Sequence, residues 1–358
     1  METIKTTKAF RFFALFLITV MLTGSFASCK KKEVEEITTT TSAPTTVTTT
    51  EAPRIINPLT GMPGYNKALV NNRPIIISVE NHPDARPQWG LCSSDIVMEM
   101  VAEGGITRML LMYADKTGIP EKVGPVRSAR HYFVELTAGF DAILIHCGGS
   151  TYAYDEFNKG YCDHIDHMAV NSCFTRDKSR NVAYEHTLFT TGSEVVQTIK
   201  DMEYREKLND GYEKPFLFYK KATKLSKENV CTKCSVSFSS AYNYSYNYYD
   251  DEKLYYSSIN GKPFCDSDGN QQNFTNLIFI YTTITDLNDS KNRVTFDLNS
   301  GHGVYISNGT YRDITWVKGS ETDMLKFYDE DGNDLKLNPG RSYIGIIGSN
   351  REGLTQIS

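Results

Sequence analysis

Hydrophobic and polar positions along this chain repeat in short blocks whose period changes from one stretch to the next. Residues 75–79, after Arg73-Pro74, are apolar-rich and too few for a helix, so they predict a buried strand ending at Glu80-Asn81-His82-Pro83. Ile96, Val97, Met100 and Val101 share one helical face. With Ser93 and Ser94 as caps and Gly104-Gly105 as a stop, they predict a helix that sets Glu99 and Glu103 one turn apart. Residues 106–113 lie between breakers and predict a second buried strand, with Thr107 and Arg108 near its entry. Past Pro125, Ser128 caps a predicted helix with Ala129, Tyr132, Phe133 and Leu136 at i, i+3, i+4 and i+7, which puts Arg127 and Arg130 at its first turn. Residues 141–146 predict another buried strand, running into Cys147-Gly148-Gly149-Ser150 and a helix from Thr151; a further helical pattern covers 186–199.

From Leu208 the signal changes to short apolar stretches separated by Asn, Gly and Asp turns. These predict strands at 216–219, 236–238, 253–257, 277–283, 294–298, 303–306, 314–317, 325–328 and 342–347. Tyr242, Tyr244, Tyr246 and Tyr248 alternate strictly, so in a strand they line one face, either packed on a core or exposed for stacking on sugar rings or a partner. The pattern as a whole predicts an α+β protein: an N-terminal mixed α/β layered domain over 55–207, then a mostly antiparallel β domain over 208–358.

Ahead of these lies a different kind of sequence. Lys5, Lys8 and Arg11 precede an apolar run from Phe12 and then Phe26-Ala27-Ser28-Cys29, the layout of a secretory signal over 1–28 that ends in a lipobox-like tetrad. Lipidation at Cys29 is the expectation, and the apolar run is shorter than a spanning helix wants. Residues 29–54 are charged and then Thr-rich, with nothing to bury, so they read as a flexible tether with a reach of about 25–30 Å. Removing 1–28 leaves 35 basic against 42 acidic residues, a net charge of −7, which argues against nucleic acid or a generic anionic membrane surface as the partner. The expected partners are the membrane itself, through the N-terminal lipid, and a cell-wall component or envelope protein.

The chemistry-bearing residues concentrate between Asp95 and Ser150. An arginine in a buried strand needs a carboxylate or an anion, and two arginines beside the N–H groups of a helix start are unfavourable alone. Arg86, Arg108, Arg127, Ser128 and Arg130, with His146 and the Gly148-Gly149-Ser150 turn, therefore form either an anion- or glycan-binding site or, with Glu99 and Glu103, a structural ion-pair network. An enzyme reading makes Glu99 or Glu103 a general acid or base assisted by His146, on a wall-associated substrate. Gly148-Gly-Ser150-Thr-Tyr lacks the elbow that exposes a nucleophilic serine, so Ser150 reads as a helix cap or a ligand hydrogen-bonding group.

In these same residues the chain resembles the YerB-like lipoprotein family. The resemblance rests on N57-P-L-T-G-M-P63, R73-P74, N81-H82, A85-R-P-Q88, E103-G-G-I-T-R108, V126-R-S-A-R130 and H146-C-G-G-S150. In the second half it rests on W316, F327-Y-D-E-D-G332 and L337-N-P-G340. It implies a two-part α+β ectodomain on a lipid anchor and no reaction.

Other motifs carry less. Seven cysteines besides Cys29 cannot all pair internally, and Cys231-Thr-Lys-Cys234 suits a small disulfide, two bystander thiols, half a zinc site or a redox pair. Cys162-Asp-His164-Ile-Asp-His167 offers metal-capable side chains, with His164 and His167 on one face if helical, or else a solvated loop. His186 stands beside His146 as a site candidate at the start of its predicted helix. The Asp-x-Asp-Gly-Asn sequences at 266–270 and 329–333 lack the closing Glu of a calcium loop and read as hairpin turns. No metal and no cofactor is assigned.

Overall fold

The structure is a computed structural model describing residues 55–358; the leader, Cys29 and the tether lie outside the described residues. Its first half contributes β1 (Ile75–Glu80), β2 (Ile96–Glu103), β3 (Ile106–Tyr113), β4 (Ile143–His146) and β5 (Asp163–Asp166), side by side in the order β2-β3-β1-β4-β5. Its second half adds five strands beyond β2, beginning with Ser342–Gly348 and continuing through Asn276–Thr282, Ser300–Ser307, Thr310–Val317 and Lys326–Tyr328. The seam is a parallel pairing of β2 with Ser342–Gly348, from Ile96 opposite Ser342 to Met100 opposite Ile346. One ten-stranded mixed sheet therefore runs through both sequence halves, and residues 55–358 lie within a single compact unit. The expected boundary at 207/208 divides the chain but not the sheet.

A second, antiparallel sheet contains Lys233–Ser239, Tyr242–Tyr249 and Leu254–Ile259 and packs on one face of the large one. Tyr242, Tyr244 and Tyr246 point into that interface, with Tyr246 against Phe279 and Tyr343, so the tyrosine row is a core face. Helix α1 (His131–Gly139) covers the opposite face near β4 and packs against α2 (Thr151–Asn158). The Tyr132 ring of α1 packs tilted against Phe296, with centroids 4.5 Å apart, and its hydroxyl donates to the Val101 carbonyl of β2. Every strand predicted beyond 208 overlaps an observed one, and the architecture is α+β.

Four predicted elements are corrected. Residues 96–103 are the strand β2, not a helix. Ile96, Val97 and Val101 are β-branched, and β2 is paired on both edges and packed on both faces. A run buried on all sides carries no amphipathic stripe to distinguish strand from helix. Ser128 does not cap α1. Residues 127–129 are extended, bonded to Ser78, Cys147 and Gly148, so the helix begins only at His131 with Arg130 at the cap position. The 186–199 helix begins at Gly192, because Leu188–Phe189 pairs with Thr175–Arg176 and Thr191 and Glu194 close a capping box. The 163–166 segment is the edge strand β5, parallel to β4, so His164 and His167 do not share a helical face.

Candidate functional site

The register of β2 against β3 decides where its two glutamates go. Val101 faces Thr107, but Glu103 faces Ile106, and this bulge turns Glu103 onto the face opposite Glu99. Glu99 is fully buried beneath the tyrosine row. Its Oε1 accepts from Asn81 Nδ2 at 2.9 Å, Thr107 Oγ1 at 2.5 Å and Tyr244 OH at 2.8 Å, and its Oε2 accepts from Tyr343 OH at 2.7 Å. Burial raises its pKa despite these donors. Arg86 joins this face indirectly: it donates to the Asn81 side-chain oxygen at 2.9 Å and lies over the Tyr242 and Phe264 rings.

On the α1 face, Glu103 is held by arginines. Arg108 Nη2 donates to Oε1 at 2.8 Å, and Arg130 donates to Oε2 through Nε at 3.0 Å and through Nη2. Burial alone would raise the Glu103 pKa, but the charges of Arg108 and Arg130 outweigh it and the net shift is downward. Both arginines also reach main-chain carbonyls, Arg108 that of Ser128 at 2.9 Å and Arg130 that of Ala129 at 2.7 Å. Arg127 lies elsewhere. Its Nε is 3.0 Å from Glu80 Oε1 without an aligned hydrogen bond, so the attraction is charge on charge, and Nη1 is 3.7 Å from Glu185.

The glycine turn is likewise occupied by protein. Gly148, at φ +66, donates its N–H to Asp166 Oδ1 at 2.7 Å, and its carbonyl accepts from Ala129 N at 2.9 Å and lies 2.8 Å from His146 Nδ1. Gly149 pairs with Ala129, Ser128 Oγ donates to Cys147, and Ser150 Oγ caps α2 by accepting from Ala153 N at 3.1 Å. His146 is fully buried; its Nε2 is 2.9 Å from His164 Nδ1, and burial pushes its pKa down to about 4. It is thus a neutral ring with both nitrogens engaged. His186 Nδ1 is 2.8 Å from Glu80 Oε2, and its ring stacks on His82.

The expected residues therefore separate into an Asn81/Glu99/Arg86 group, a Glu103/Arg108/Arg130 group, a Glu80/Arg127/His186 group and a His146/Gly148/Ser150 turn. The missed partners are Asn81, Thr107, Tyr244 and Tyr343 around Glu99, and Glu80 and Glu185 around Arg127. The Glu80-Asn81-His82 run, Thr107 at the strand entry and the alternating tyrosines gave a sequence sign of some of them; Tyr343 and Glu185 gave none. A cleft of about 700 Å³ lies apart from all four groups, lined by Tyr281, His302, Asp313, Asp329, Glu330 and Glu352 among others. His302 Nε2 is 2.8 Å from Glu352 Oε1, and the Tyr281 and His302 rings are 5.6 Å apart. Such a cleft presents acceptors to hydroxyl or amino groups beside an aromatic ring.

Two family models match, described as the N-terminal domain, over residues 59–205, and the C-terminal domain, over residues 234–344, of a protein of unknown function, DUF3048. A relative named "Putative lipoprotein YerB", from Bacillus subtilis (strain 168), is 32% identical over 302 residues, 83% of this chain and 87% of that protein. The crystal structure of YerB protein from Bacillus subtilis superposes with a TM-score of 0.73 at 29% identity, covering 85% of this chain and 100% of that one. With both halves matched and the fold shared, the chain belongs to the YerB-like DUF3048 family, whose molecular function is unknown.

Proposed function

We propose that this protein is an extracytoplasmic binding protein, tethered to the membrane by a lipid on Cys29, that holds a glycan-like ligand in the carboxylate-lined cleft. The observation carrying the reading is the cleft itself. Asp313, Glu330 and Glu352 around the exposed His302 offer acceptors for sugar hydroxyls and a ring for stacking, and so favour a polyhydroxyl or amino-bearing ligand over an anion, while Asp329 is taken up by its own turn and by Arg312. The anchor is supported by the leader ending at Cys29 and by the relative's name. Arg86, Arg108, Arg127 and Arg130 act in this reading as structural ties, since each faces a protein carboxylate or carbonyl, or the Asn81 side chain. Acid/base catalysis by Glu99, Glu103 and His146 is disfavoured: Glu99 and Glu103 are on opposite faces and fully engaged, and His146 has no free nitrogen.

The test is titration calorimetry with soluble cell-wall glycan fragments. Binding that weakens about tenfold or more in Asp313→Asn and His302→Ala, and is unchanged in Arg127→Gln, supports the reading. Binding lost in Arg127→Gln and kept in the cleft variants returns the ligand to the arginine region. For the anchor, Cys29→Ser should release the protein from membranes, and a wild-type chain that takes up no labelled fatty acid would refute it.

A further inference from the structure

Two short 3-10 turns face one another beside Arg127. The first, Pro83–Ala85, follows directly from β1, so that Glu80, His82 and Asp84 leave the strand in quick succession; the second, Tyr184–His186, brings Glu185 and His186 to them. One nitrogen from each of His82 and His186 and one oxygen of Asp84 lie within 4.8 Å of one another. His186 is buried, and its Nδ1 faces the equally buried Glu80 carboxylate at 2.8 Å, which fixes the ring and leaves Nε2 as the outward atom. Orienting a metal-binding imidazole through a carboxylate on its other nitrogen is a recurring device of metal centres. Glu185 Oε1 is 3.8 Å from that Nε2 and His82 Nδ1 is 3.7 Å from Asp84 Oδ2.

We propose that His82, Asp84 and His186 bind a divalent transition-metal ion such as Zn²⁺, with Glu185 or a water as fourth ligand and Glu80 as the positioning residue behind His186. Ligand atoms around tetrahedral zinc sit about 3.3 Å apart, as bonds of about 2.0–2.1 Å require. The side chains that must move to reach that spacing are the more exposed ones: His82, 34% exposed, swings out of its stack on His186, Asp84 is 69% exposed, and Glu185, which also faces Arg127, is 56% exposed. His186, the ring that stays in place, is 4% exposed. Two imidazoles with carboxylate oxygens form a borderline donor set that selects zinc-like ions over calcium or magnesium, which take all-oxygen sites. Glu80, Asp84 and Glu185 supply three carboxylates at the two turns, Glu80 and Glu185 facing Arg127, while Arg176 and Arg180 donate to the turn carbonyls of Tyr184 and of Ala85 and Arg86. This site is separate from the proposed glycan cleft, and neither reading depends on the other.

The experiment uses the full mature chain in detergent, stripped with a chelator and titrated with Zn²⁺ against a chromophoric competitor and with Co²⁺ by visible absorption. One equivalent should bind with a Kd near or below about 1 µM, and Co²⁺ should give the strong visible bands of a four-coordinate site. His82→Asn keeps an acceptor for the Asp84 N–H, now held by His82 Nδ1 at 3.2 Å, while removing the imidazole. That variant and Asp84→Asn should each weaken Zn²⁺ about tenfold or more with the metal-free melting temperature unchanged, and Glu80→Gln should weaken it about 10–100-fold. Cys231→Ser with Cys234→Ser should leave the metal bound. No tight equivalent, equal affinity in His82→Asn and Asp84→Asn, or loss of the metal only when the thiols are removed would each overturn the proposal.

Discussion

On one face of β2, Glu99 is surrounded by uncharged donors from Asn81, Thr107, Tyr244 and Tyr343; on the other, Glu103 lies between the guanidiniums of Arg108 and Arg130. The same side chain, four residues apart, is pushed in opposite directions: burial dominates at Glu99 and raises its pKa, whereas two positive charges overcome burial at Glu103 and lower it. Hydrogen bonding and charge pairing are thus separable means of keeping a carboxyl inside a sheet. They leave opposite pH signatures. The Glu103 contribution to stability is present above the ordinary carboxylate value and is lost as pH falls through its lowered folded value. The Glu99 contribution is present below the ordinary value and is lost as pH rises through its raised one.

The harshest way to break the contrast is Glu99→Leu, which removes the acceptor of four buried donors. Each orphaned donor costs about 1–3 kcal/mol, so a loss of roughly 4 kcal/mol or more, or outright failure to fold, is expected in urea unfolding. A loss under about 1 kcal/mol would mean the tyrosine lid opens to water. Next comes Glu103→Gln, which leaves Arg108 and Arg130 facing each other without a carboxylate and should cost about 3–5 kcal/mol. Arg130→Gln should cost less, since Arg108 still pairs with Glu103, and the two changes together should cost less than their sum.

A third expectation concerns His146, whose folded pKa of about 4 lies below the ordinary 6.5. The folded ring stays neutral where the unfolded one takes a proton, so stability should fall as pH drops from about 6.5 to about 4, by up to about 3 kcal/mol from this group. His131, lowered to about 4 by burial, adds to the same slope. Unfolding free energies that stay flat across that window would contradict the engaged, neutral ring. The smallest effect sharpens the comparison most. Glu99→Gln imitates a neutral carboxyl and should cost less than about 1.5 kcal/mol, well below Glu103→Gln; equal costs would mean that Glu99 is charged when folded.

The arginine cluster shows how far local reasoning reaches. That Arg108 in a buried strand needs a carboxylate follows from desolvation alone, and Glu103 supplies it. That Arg127 would turn to Glu80 instead does not follow, because Glu80 closes a strand 47 residues earlier in the chain and meets Arg127 only when residues 127–129 extend beside β1. The cap at Ser150 was legible, since a strand, a glycine pair and a serine before a helix fix it locally. The cap assigned to Ser128 was not, because a tertiary pairing with Gly148 claimed that backbone first.

Sequence alone determined the α+β class, nine of the strands beyond Leu208, the one-sided alternation of the tyrosine row and the strands β1, β3 and β4, all of them features set by local periodicity and turn residues, while the packing of the second sheet chose the core side for the tyrosines. Only tertiary structure decided that β2 is a strand, since a segment buried on every side carries no periodic signature. The bulge that sends Glu103 away from Glu99, the parallel seam joining β2 to Ser342–Gly348 and the meeting of His82 with His186 also belong to it. Each depends on pairings between residues far apart in the chain, whose register is chosen by the cores on both sides of the sheet and is written in no single stretch.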